Sequence, residues 1–259
     1  MGRRRAAPEL VARIGELAVL RDRERPSGRL LRQGEMDASY VDLADAQHLE
    51  FDYLRRMRDL AELAGARRIV HVGGAGCALA RALAAADPGA RQEVIELDPG
   101  VVELARLHLG LRRAAGLRVR VGDGRALIAR RAAGSADAVL VDAFAGARVP
   151  RHLVTAEALR DLARVAGLAA VNVVDVRPLD DAAAIAAGLD AAFPYVLALG
   201  APAVLAKRRG GNVVLAGAHA LPPLDRLRAR AAADRSPGAL LGPEEMPAFV
   251  GGALPRRDA

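Results

Sequence analysis

Glu96, Asp123 and Asp142 each close a short run rich in Val, Leu or Ile, and a glycine cluster, Gly73-Gly74-Ala75-Gly76, closes a fourth such run, RRIVHV. Glycines let a backbone turn tightly and come close to a ligand that a Cβ would push away, and the amides of a following helix can then face it. A carboxylate about twenty residues beyond such a loop is suited to accept both hydrogen bonds of a ribose diol, which describes Glu96 in EVIELDPG. Asp123, between Gly122 and Gly124, can read the exocyclic amine of an adenine, with the flanking glycines letting the ring lie on the backbone. Asp142, in VLVDAF, can hold an attacking amine and accept its proton. Each acid also has a plainer reading. Glu96 and Asp98 can cap the helix PGVVELARLHL, which has Pro99 in its first turn; Asp123 can be an N-cap; Asp142 can simply turn the chain. The cap is preferred for Asp98 and ligand contact for Glu96 and Asp123. The candidate nucleotide-binding residues are therefore Gly73, Gly74, Gly76, Glu96, Asp123 and Gly124. A dinucleotide is disfavoured, because Leu79 stands where a G-x-G-x-x-G loop needs its third glycine.

For these acids to meet, they must sit at one end of one sheet. From residue 67 apolar strands and amphipathic helices alternate through RRIVHV, CALARALAAA, QEVIEL, PGVVELARLHL, LRVRV, GRALIARR and ADAVLVDAF. Strands apolar at nearly every position predict a parallel sheet buried on both faces, and in such a sheet ligands bind outside the C-terminal strand ends. The helix TAEALRDLARV, the strand AAVNVVDV, the helix DDAAAIAAGLDAA and the strands PYVLAL and NVVLAGA follow. The expectation is an α/β fold: a doubly wound, seven-stranded, Rossmann-like sheet of the methyltransferase-like type with a last antiparallel strand. Upstream, PELVARIGELAVLRDRE has apolar residues at helical spacing and reads as a basic amphipathic helix. GRLLRQGEMDASYVDL reads as a small hairpin turning around Gly34 to Asp37, and QHLEFDYLRRMRDLAELA as a helix stopped by Gly65. Residues 1–46 are thus an N-terminal helix and hairpin, 47–220 the nucleotide-binding domain, and 221–259 a C-terminal helix with a loosely held tail.

Composition narrows the function classes. The 259 residues carry a formal charge of +7, yet Lys207 is the single lysine and only 3% are aromatic, with no Trp. Single-stranded nucleic acid is normally held on aromatic platforms between basic residues, so an Arg-rich solvated surface is the better reading. A single cysteine, Cys77, excludes an internal disulfide and a cysteine-based zinc site; no metal or prosthetic group is expected. Arg13 and Glu16 interrupt the N-terminal apolar run and no other run is long enough to span a bilayer. A soluble, cytoplasmic protein with no membrane partner is expected.

Taken together, RRIVHVGGAGCALARAL, EVIELDPGVVELAR, VRVGDGRALI and ADAVLVDAFAGARVPRHLVTAEAL resemble the spermidine synthase family over about residues 29 to 217. That family's pattern is a GGGDGG loop, E-I-D after strand two, GDG after strand three, and D-S-x-D-P followed by L-F-T-x-E-F-Y after strand four. The resemblance implies decarboxylated S-adenosylmethionine, or S-adenosylmethionine itself, as co-substrate and a small-molecule amine acceptor. It implies Glu96 on the ribose, Asp123 with Gly124 on the adenine, Asp142 as the catalytic carboxylate, and Tyr53 or Phe51 at the position of a family tyrosine. A homodimer is the family's common assembly, with the N-terminal elements as candidate contacts. The departures are specific. The loop acid of GGGDGG falls on Gly76 and the second acid of D-S-x-D-P on Ala145, while Arg148, Arg151 and His152, which would repel a polycation, join the same loop. Those positions predict weakened diamine recognition, reversible by acids restored at Gly76 and Ala145. Methyl transfer from S-adenosylmethionine to a neutral or acidic acceptor, and non-catalytic nucleotide binding, are the alternatives.

Overall fold

The computed structural model describes residues 8–74, 76–111 and 116–258. The chain opens with four strands, β1 (Glu9–Ile14), β2 (Leu17–Arg21), β3 (Gly28–Gln33) and β4 (Met36–Asp42), that form an antiparallel sheet in sequence order. The amphipathic helix expected before Pro26 is therefore absent, replaced by the β1–β2 hairpin. Ile14 pairs with Leu17 across a two-residue turn whose first member, Gly15, has φ +55°, the backbone that a tight hairpin turn demands. Leu17, Ala18, Val19 and Leu20 are all buried, so β2 is covered on both faces. A strand covered on both faces shows no alternation, which is why its apolar spacing passes for helical. The expected β3–β4 hairpin is present and turns at Gly34–Glu35.

After α1 (Asp52–Leu63) the alternating unit runs β5 (Arg68–Gly73), α2 (Ala78–Ala86), β6 (Arg91–Glu96), α3 (Pro99–His108), β7 (Leu117–Val121), α4 (Gly124–Ala129), β8 (Ala136–Asp142), α5 (Ala156–Val165), β9 (Ala166–Asp175), α6 (Asp180–Asp190), β10 (Tyr195–Gly200), α7 (Pro202–Leu205) and β11 (Gly211–Ala218). The chain then continues through α8 (Leu224–Ala233), β12 (Ala239–Leu241) and α9 (Met246–Val250). The main sheet has the order β12-β10-β11-β9-β8-β5-β6-β7 among the described residues. It is parallel from β7 to β9, with β11 antiparallel to β9 and β10, which is the methyltransferase-like arrangement. The eighth strand, β12, pairs antiparallel with β10 and corrects the expected count of seven. It comes from the region expected to be loosely held. That region is anchored further: Ala156 N donates to Arg256 O at 2.7 Å, and Thr155 Oγ1 donates to Asp258 at 2.6 Å.

Strand side chains alternate between two buried layers. Ile69, Val94 and Leu140 pack with Met57 and Leu60 of α1 and Leu83 of α2, while Val70, Val72, Val139 and Val141 pack with Leu159 of α5 and Ile185 of α6. Both faces being covered explains the near-continuous apolar runs. Sequence order reverses between β5 and β8, which opens a crevice outside their C-terminal ends; there Gly73 is the register partner of Asp142. Among the described residues no helix is long and apolar enough to cross a membrane.

Candidate active site

The crevice is a cleft of about 640 Å³, within the range of small-molecule sites. Gly73, Gly74, Glu96, Asp123, Gly124 and Asp142 line it, together with Tyr53 and Phe51 and with Gln33 of β3 and Met36 and Asp37 of β4. Seven of the eight residues singled out from the sequence are thus brought together. Gly76 is not among them: a Cβ there would meet Ser39 Oγ at 2.8 Å and Leu109 Cδ1 at 3.0 Å, so this glycine serves the packing of the N-terminal sheet against the loop. Gly73 has φ +78° and a Cβ on it would lie 2.5 Å from the carbonyl oxygen of Asp142, so only glycine lets the loop leave β5 alongside β8.

Asp142 is the centre of a polar cluster. Tyr53 Oη donates to its Oδ2 at 3.3 Å, Asn172 Nδ2 donates to its Oδ1 at 2.9 Å, and Asn212 Nδ2 donates to Asn172 Oδ1 at 3.1 Å. Burial pushes the Asp142 carboxyl up to about 6, the hydrogen bonds from Asn172 and Tyr53 pulling the other way. A carboxylate with that affinity for protons is ionised at neutral pH and still able to take one up. Burial, together with the Asp142 charge, drives the Tyr53 phenol well above its ordinary range, which keeps it a donor. Of Tyr53 and Phe51, Tyr53 carries the hydroxyl to Asp142, and Phe51 stacks on its ring at 5.9 Å with planes 9° apart. Asn172, Asn212 and Gln33 were missed in the sequence. For Asn172 a signal existed, an amide inside the apolar run AAVNVVDV.

At the other end, Glu96 Oε1 accepts from Asp98 N at 3.1 Å, and Asp98 caps α3 by accepting from Gly100 N at 2.8 Å with Pro99 in the first turn. Asp123 caps α4 through Ala126 N at 2.8 Å and meets His152 Nε2 at 2.9 Å with its other oxygen. Burial works against ionisation of Asp123, but the Ala126 amide and His152 outweigh it and hold the carboxyl below its ordinary value. Gly124 is buried where a Cβ would lie 2.3 Å from Val72 Cγ1, so α4 starts directly on β5. The glycine-loop helix α2 has no side-chain cap, in contrast to α3, α4 and α5.

The loop after β8 departs from expectation. Arg148 reaches towards Asp181 and Arg151 donates to Arg257 O; neither lines the cleft, whereas Ala145, Ala147, Pro150 and His152 do. Repulsion of a polycation by these arginines is therefore not built into the cleft wall. His71, buried beneath the loop, holds Gln92 at 2.8 Å, and Gln92 in turn donates to Ala80 O. Burial pushes its imidazole down to about 4, which makes it a neutral strut between β5, β6 and α2.

No family model matches the chain. It is 33% identical over 96 residues to the polyamine aminopropyltransferase of Vibrio vulnificus (strain CMCP6), a match covering 36% of this chain and only about a third, 32%, of that relative. A probable spermidine synthase from Corynebacterium glutamicum is 27% identical with a TM-score of 0.87, covering 98% of this chain and 96% of the other. Spermidine synthase from Thermotoga maritima shares the fold at 14% identity, with a TM-score of 0.60 over 92% of this chain and 81% of its own. Sequence motifs, cleft geometry and a solved structure matched from end to end agree in a likeness to spermidine synthases on a methyltransferase-like fold.

Proposed function

We propose that the chain is an aminopropyltransferase-like enzyme that binds decarboxylated S-adenosylmethionine and alkylates an amine acceptor, with an acceptor end unlike that of an ordinary diamine site. The observation that carries this reading is Asp142. It is a carboxylate at the sheet switch point, pushed up to about 6, tethered by Tyr53 and Asn172 and lying in one cleft with Glu96 and Asp123. Glu96 binds the ribose diol and Asp123, with Gly124, the adenine edge; Gly73 and Gly74 let the backbone approach the sulfonium end. The neutral amine attacks the propyl carbon bonded to sulfur. A C–N bond forms as the C–S bond breaks, the electron pair stays on sulfur to give methylthioadenosine, and the proton released by the amine passes to Asp142. Since the sulfonium is already a good leaving group, the chain's work is to hold the two reactants in line and receive that proton.

Calorimetry with decarboxylated S-adenosylmethionine, S-adenosylmethionine and methylthioadenosine, followed by product analysis with amine acceptors, tests this. The expected outcome is preference for the decarboxylated donor, methylthioadenosine release, and at least tenfold weaker donor binding by Glu96→Ala. Exclusive use of S-adenosylmethionine with release of S-adenosylhomocysteine would establish methyl transfer instead, and absence of binding by all three would refute a nucleotide site.

A further inference from the structure

We infer that the acceptor is an amine with one positive charge and an apolar remainder, not a diamine; this rests on the aminopropyl-transfer reading above. The charge inventory of the cleft is the first argument. Among the described residues its carboxylates are Asp37, Glu96, Asp98, Asp123 and Asp142. Asp37 is ion-paired to Arg32 at 2.9 Å, Asp98 caps α3, and Asp123 caps α4 and holds His152. Glu96 belongs to the ribose end. Asp142 is then the single carboxylate at the end formed by β8, β9 and β11, and none of the described Arg, Lys or His side chains pairs with it. It can balance at most one acceptor ammonium, and the ammonium on the donor's own propyl group competes for it.

The second argument is what surrounds Asp142. Phe51, Phe144, Ala145, Ala147 and Val174 line the cleft with Asp142, and the polar groups beside it are the Tyr53 hydroxyl and the neutral amides of Asn172 and Asn212. The acid that would follow Asp142 in this wall is alanine, Ala145. Asp175, next to Val174, faces away and accepts from Val176 N and Ala182 N at the start of α6 at 2.7 and 2.9 Å. A second ammonium drawn into this end would lose water and find only neutral amide and phenol oxygens, a cost that an unpaired charge does not recover. An alkyl or aryl tail gains there instead, about fourfold in binding for each methylene buried.

The test uses the full-length protein with decarboxylated S-adenosylmethionine and measures methylthioadenosine release, the product common to every acceptor, for putrescine, n-butylamine, n-hexylamine and phenethylamine. The expected result is a kcat/KM at least tenfold higher for n-hexylamine or phenethylamine than for putrescine, with n-butylamine, of the same length as putrescine but singly charged, also ahead of it. Ala145→Asp, on an exposed loop, then raises putrescine turnover tenfold or more. Putrescine equal to or better than the monoamines overturns the inference, as does an Ala145→Asp variant that leaves putrescine unimproved. Donor binding by calorimetry with no turnover of any monoamine overturns the inference and leaves the nucleotide site standing. No donor binding at all refutes the parent reading and this inference with it.

Discussion

Asp142→Asn separates the proposed catalytic role of this residue from its cost to the fold. In the folded chain the Asp142 carboxyl ionises near pH 6, against 3.8 for an unstrained aspartate, because it is buried. Below pH 3.8 both folded and unfolded chains hold the proton and the residue is neutral to stability. Between those values the folded chain binds more protons, so stability falls as pH rises, and above 6 the full penalty is present. Two pH units at about 1.36 kcal/mol each set a ceiling of roughly 3 kcal/mol, and cleft water screens part of it. Asparagine keeps an acceptor oxygen for Asn172 and removes the charge. Asp142→Asn is therefore expected to be more stable than the parent by roughly 1–3 kcal/mol at pH 8, a few degrees in Tm, and to lose that advantage at pH 4. At the same time kcat is expected to fall by about 10²–10⁴, and the rise of kcat/KM through pH 6 expected of the parent to disappear. Urea unfolding at the two pH values and a pH–rate profile measure both. A variant less stable than the parent at pH 8, or a parent profile flat between pH 5 and 7, would refute the assignment.

Three further outcomes follow from the same geometry. Asp123→Ala removes an N-cap and costs about 1 kcal/mol, whereas Asp123→Ser keeps the cap; both are expected to weaken methylthioadenosine binding, read by calorimetry, and if Ser restores affinity the carboxylate has no role in adenine recognition. Gly76→Asp, which the family pattern suggests would restore diamine use, is instead expected to lose about 1–3 kcal/mol by overpacking, because its Cβ meets Ser39 and Leu109; a stable variant with improved putrescine turnover would contradict this. Asp234→Ala leaves the buried Arg55 guanidinium without the carboxylate that it now holds at 2.6 and 2.8 Å, a loss of about 3–5 kcal/mol, and denaturant unfolding at one ionic strength decides it.

The sheet and the strand-end acids were legible in the sequence because both follow from strong local rules. Strands apolar at every position, separated by helices, admit few topologies, and a carboxylate that ends such a strand must stand at the mouth of the sheet. The first hairpin was not legible, since β2 is buried on both faces and only Gly15 marked its turn. Asn172 reaches Asp142 from a strand 30 residues further along the chain and is itself held by Asn212, 40 residues beyond it, and no local pattern announces such a meeting. Side-chain direction was hidden for a different reason. Arg148 and Arg151 share a loop with the cleft-lining Ala147 and Pro150, yet they turn to Asp181 and to the carbonyl of Arg257. Neither arginine lines the cleft. The proposal of an altered acceptor end rests instead on the alanine at Ala145 and on the neutral amides beside Asp142. A motif can report a missing carboxylate, but whether another charge replaces it depends on elements that the motif does not contain.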